Sequence, residues 1–103
     1  MEVSLLYIAD CPNQSLAQAR LGEALARIGQ SEHAINLVLI SSDDEADQLS
    51  FKGSPTILVD GVDPWAPPEP VPGGLACRMY RTAGQASGAP SVEEIVQALT
   101  RQA

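Results

Sequence analysis

The sequence predicts a single α/β domain built on a mixed sheet with helices on both faces. Three observations lead there: short apolar runs of strand length, a helical stripe between the first two of them, and two serine-led helix starts further on. Val3 to Ala9 (VSLLYIA) is almost continuously apolar, the pattern of a strand covered on both faces. Cys11 and Pro12 follow it. From Ala17 the apolar positions Ala17, Leu21, Ala24, Leu25 and Ile28 gather on one helical stripe, with Arg20, Glu23 and Arg27 on the opposite side. Pro12 suits the first helical position and Gly29 a left-handed C-terminal cap, which makes Cys11 the predicted N-cap.

Ala34 to Ile40 is a second apolar run, so the opening reads strand, helix, strand, and the right-handed crossover rule makes those strands parallel. Ser42 and Glu45 form a capping box, with Asp43 and Asp44 where the helix dipole favours negative charge, so a short helix is expected from about Asp43 to Leu49. Thr56 to Val59 is a brief strand ending at Asp60-Gly61. Leu75 to Arg81 is expected to follow as an antiparallel edge strand, with Leu75, Cys77 and Met79 on one face and Ala76, Arg78 and Tyr80 on the other. Between these two lies a Pro-rich hairpin insertion, residues 62–74 (VDPWAPPEPVPGG), stiffened by prolines that also remove backbone donors. Ser91 and Glu94 form a second capping box, ahead of Val92, Ile95, Val96 and Leu99 on one face of a closing helix.

Residues 1–103 read as one domain, long enough to bury a core without disulfides or metals. With Lys+Arg 6 against Asp+Glu 13, the formal charge of −7 opposes binding to nucleic acid and to anionic lipid headgroups. The apolar runs are strand-sized, well short of the ~20 residues a membrane helix needs. With no signal-peptide pattern and only two cysteines, the expected location is the cytoplasm, with both thiols reduced.

The order of elements, Cys11-Pro12 at the end of the first strand, and Gly53-Ser54-Pro55-Thr56 before the third strand together resemble the thioredoxin-like superfamily. The likeness covers nearly the whole chain. It implies a four-stranded mixed sheet in the order 2-1-3-4, a cis Ser54-Pro55 bond, and a cleft in which that proline lies beside a reactive Cys11. The sequence departs from thioredoxins and dithiol glutaredoxins in carrying Gln14 where their second cysteine stands, and Asp10 where thioredoxins have an aromatic residue.

The resemblance therefore implies a monothiol oxidoreductase or thiol carrier: Cys11 catalytic, Pro12, Ser54, Pro55 and Thr56 contacting an extended substrate, and a second thiol from glutathione or a partner protein resolving the mixed disulfide. A helix N-terminus favours the nucleophilic thiolate of Cys11, and Asp10 opposes part of that effect. The alternative is a non-catalytic binding module that uses the same cleft or the Trp65 loop, with a homodimer open as one form of partner; a soft-metal binder for mercury or copper(I) is a distant third. No cofactor and no metal site is expected, because His33 is alone and the acidic run from Asp43 to Asp47 lacks calcium-loop spacing. Placing Thr56 opposite the strand end near Arg81 leaves Cys77 about 13 Å away at roughly 3.3 Å per residue, beyond disulfide reach, so Cys77 is expected to be a buried, inert thiol. On the same register the Trp65 loop leaves the far end of the sheet, uncoupled from Cys11.

Overall fold

A computed structural model describes residues 1–49, 51–66, 75, 77–82 and 84–102. The elements in chain order are β1 (Val3–Tyr7), α1 (Gln14–Arg27), β2 (Asn36–Leu39), α2 (Asp43–Gln48), β3 (Thr56–Val59), β4 (Tyr80–Thr82), β5 (Gln85–Ser87) and α3 (Val92–Gln102). β1 is central, pairing parallel with β2 and antiparallel with β3. Its alternation divides the core, as the pleat requires. Val3 and Leu5 pack with α1 and α3 residues such as Leu21, Leu25, Ile95 and Leu99, while Leu6 faces Ile40, Phe51 and Ala46 of α2.

The sheet is not the four-stranded 2-1-3-4 arrangement expected from the sequence. It has three strands in the order β2-β1-β3, and β4 and β5 form a separate two-stranded hairpin. Among the described residues, the expected strand from Leu75 to Arg81 pairs next to the sheet at one isolated parallel bridge, between Ser54 and Cys77. Its facing is also inverted: Leu75, Cys77 and Met79 are exposed, whereas Arg78 and Tyr80 are buried. The alternation was legible, but hydrophobicity chose the wrong face, because a buried ion pair holds the arginine side inward. The β4–β5 turn carries Gly84 at φ 81, a backbone region that suits glycine. Of the Pro-rich insertion, residues 62–66 are described and 67–74 lie outside the described residues.

The helix ends follow their local chemistry more closely. Gly29 at φ 79 closes α1 in a Schellman arrangement, with Gln30 N–H donating to Leu25 O and Gly29 N–H to Ala26 O. The capping box at α3 forms in full and that at α2 by half, since Glu45 Oε1 accepts from Ser41 and from the Ser42 hydroxyl and not from the Ser42 N–H. Glu45 N–H donates to Ser42 Oγ, and at α3 the exchange is reciprocal, Glu94 N–H to Ser91 Oγ at 3.1 Å and Ser91 N–H to Glu94 Oε1 at 2.9 Å. The start of α1 differs from expectation: its N-cap is Asn13, two residues beyond Cys11. Cys11, Pro12, Asn13 and Gln14 instead form a β-turn closed by Gln14 N–H to Cys11 O, with Asn13 at φ −102, ψ 2. Proline at the second position and these angles at the third are those of a type I turn, so Pro12 is a turn residue here.

Candidate functional site

Cys11 sits between two turns. Asp10, at φ 59 in the left-handed region, brings the chain round so that Cys11 N–H donates to Ile8 O at 3.3 Å. Asparagine and aspartate tolerate that region better than most residues. Ile8 N–H in turn donates to Ser54 Oγ at 3.1 Å, which extends the β1–β3 pairing one step toward the Ser54-Pro55 peptide, a cis bond. The thiol of Cys11 is free and half-buried, and Pro12 beside it is exposed.

Ser54, Pro55 and Thr56 are all buried and form the floor of this end of the fold. Thr56 Oγ1 donates to Gly53 O at 2.6 Å, and Ser54 O accepts the backbone N–H of Arg78 at 2.9 Å. Tyr80 reaches the same segment through its hydroxyl, which donates to Pro55 O. Burial pushes the Tyr80 phenol up from its ordinary value; the Arg78 charge opposes that rise and Asp63 adds to it. The phenol is therefore a fixed donor.

Arg78 organises this floor. Its guanidinium meets Asp63 with Nη1 at 2.7 Å and Nη2 at 3.4 Å, both side chains being under a tenth exposed. It also donates to Thr56 Oγ1 at 3.4 Å and to Trp65 O at 2.6 Å, and lies 4.5 Å from the centre of the Tyr80 ring. Such a fork satisfies several acceptors from one rigid plane, as lysine could not. Trp65 packs edge-to-face on Tyr80 with centroids 6.1 Å apart. The start of the insertion is thus tied to the Ser54–Thr56 segment, and does not stay at the far end of the sheet as expected.

The expected register is corrected with it. Cys77, not the end near Arg81, lies against the Ser54 backbone, and its thiol is free and exposed where a buried one was expected. Hairpin logic failed because the approach at Cys77 is a single parallel bridge before the chain turns into β4. Arg20, placed on the helix face away from the core, is half-buried and donates from Nη1 to Ser87 Oγ, Ala89 O and Pro90 O. Apolar periodicity cannot signal an arginine that binds carbonyls. His33 stands before β2 with one ring nitrogen 2.7 Å from Met1 O and the other 2.8 Å from Ala34 O. Among the described residues no group of three His, Cys, Asp or Glu side chains converges as a metal site, and no helix is long and apolar enough to cross a membrane. No family model, curated protein or solved structure matches the chain.

Proposed function

We propose that Cys11 is a single-cysteine thiol–disulfide exchange centre of thioredoxin-like type, acting in the reducing cytoplasm as an oxidoreductase or thiol carrier. The observation that carries this reading is a relay of two hydrogen bonds, Cys11 N–H to Ile8 O and Ile8 N–H to Ser54 Oγ, which ties the backbone of a free, partly accessible cysteine to the residue before Pro55. In the exchange, the Cys11 thiolate attacks one sulfur of a substrate disulfide and a Cys11–substrate disulfide forms. The other sulfur leaves as thiolate, and the Cys11 proton goes to solvent. Glutathione or a partner-protein thiol then attacks the substrate sulfur and returns Cys11 to the thiol. Gln14 rules out an intramotif second thiol.

The test is the pH dependence of Cys11 alkylation in Cys77→Ala protein, together with mass spectrometry after exposure to oxidised glutathione. An activated profile and a one-to-one glutathione adduct at Cys11 are expected. An unactivated profile with no adduct supports the second reading, a non-catalytic binding module. One observation favours that reading: α1 begins at Gln14, so Cys11 lies outside the N-cap position where helix N–H groups and dipole act most strongly.

A further inference from the structure

A groove of ≈500 Å³ is lined by Arg78 together with Lys52, Trp65, Cys77, Met79 and Arg81. That volume falls within the roughly 300–1,000 Å³ of small-molecule clefts. The chain carries only six Lys and Arg against thirteen Asp and Glu, yet three of the six line this one groove. Arg78 is neutralised by Asp63, and among the described residues no ion pair engages Lys52 or Arg81; Arg81 makes one hydrogen bond, to Gly84 O at 3.2 Å. The wall is held in place before any ligand arrives, since the Trp65 carbonyl is gripped by Arg78 and its ring rests on Tyr80. Preorganisation of this kind lowers the ordering cost of binding.

We propose that this groove binds small anionic molecules with a flat apolar body: the carboxylate or equivalent anion between Lys52 and Arg81, the flat part against Trp65. The inference stands apart from the Cys11 reading. Over the whole surface a charge of −7 repels anions, so attraction at this one place has a diagnostic sign. Cys77, exposed in the groove wall, is a built-in reporter.

In Cys11→Ser protein, Cys77 is reacted with the dianionic aromatic disulfide 5,5′-dithiobis(2-nitrobenzoate) and with the neutral 2,2′-dipyridyl disulfide. N-acetylcysteine amide serves as the reference thiol. In each case the Cys77 thiolate forms a disulfide with one reagent sulfur as the reagent S–S bond breaks, the aryl thiolate leaves, and the thiol proton passes to solvent. The anionic-over-neutral rate ratio is expected to exceed that of the reference thiol by about tenfold at low salt. It should return toward the reference in Lys52→Gln, in Arg81→Gln and at about 0.5 M salt. 3-Nitrobenzoate should protect Cys77 from the neutral reagent in a saturable way. A ratio at or below the reference value, or no protection, overturns the proposal; if Arg81→Gln does not fold, Lys52→Gln alone decides it. The same reagents on Cys77→Ser protein read Cys11, so the thiol-exchange reading succeeds or fails separately.

Discussion

Gly88 shows how a single missing methyl group shapes the approach to Cys11. A Cβ built at Gly88 would overlap the side chain of Asn13, the N-cap of α1 and the third residue of the Cys11 turn. The Asn13 amide makes no capping hydrogen bond and can swing aside, so Gly88→Ala is expected to lower stability by only about 0.5–1.5 kcal/mol, the cost of one displaced rotamer. The double variant Gly88→Ala/Asn13→Ala should recover most of it; urea denaturation of the four proteins measures the coupling, and additive losses would show that Asn13 is not the obstacle. The same contact places the loop after β5 behind the Cys11 turn, a neighbour that nothing in the local sequence announces.

At the scale of elements, the start of α3 makes a pH-dependent contribution. Burial disfavours the charged form of Glu94, but the Ser91 backbone N–H, the Thr82 and Ser91 hydroxyls and the Arg20 charge outweigh it, and the carboxyl is held below the ordinary glutamate range. A group whose folded value is depressed stabilises above its unfolded value and loses that contribution as pH falls through its folded value. Stability should thus decline as pH drops from the ordinary glutamate range to below it, and Glu94→Gln should flatten that part of the profile, read as the urea midpoint against pH. An unchanged slope would show that Glu94 is not the group responsible. β2 carries a different liability. It is an edge strand of the three-stranded sheet, and its apolar residues Leu37 and Leu39 are 47% and 46% exposed. Lysine on an exposed edge discourages pairing between chains. Leu37→Lys/Leu39→Lys is expected to leave stability within about 1 kcal/mol, since each exposed substitution is usually within ±0.5, and to reduce light scattering from concentrated solutions. A large loss of stability would mean that this face is more buried than the structure shows.

Across the whole molecule, the Arg78–Asp63 pair joins segments that are otherwise separate. It links the start of the Pro-rich insertion, the first residue of β3 and the chain entering β4, at a place where the sheet itself supplies one bridge. Removing one partner of a buried pair leaves the other charged and unsatisfied, so Asp63→Ala is expected to cost about 3–5 kcal/mol. The double variant Asp63→Leu/Arg78→Met should be clearly more stable than either single variant, because no charge is then left buried. Equilibrium unfolding of the cycle tests this, and simple additivity would mean that the two side chains act independently. Trp65→Ala belongs to the same assembly: its edge-to-face contact with Tyr80 predicts a loss of about 0.5–1.5 kcal/mol from that interaction alone. It should raise the alkylation rate of Cys77, in the shared groove, more than that of Cys11; an equal effect on both thiols would indicate general loosening.

What the sequence by itself determined is local. The buried stripe of α1, the Gly29 cap, the Ser42 cap, the Ser91 capping box and the parallel pairing of β1 with β2 depend on residues a few places apart or on chain-level handedness. The cis Ser54-Pro55 bond was expected only through the family resemblance. Even the start of α1 was nearly legible, since proline followed by asparagine fits a turn as well as a helix start. The tertiary structure alone decided the rest: which face of residues 75–81 turns inward, that this segment leaves the sheet after one bridge, that Cys77 is exposed beside Ser54, and that Arg20 is drawn against the loop before α3. The reason is the same in each case. An arginine is buried only where acceptors from distant segments converge on it, and apolar periodicity along the chain carries no record of where those acceptors will lie.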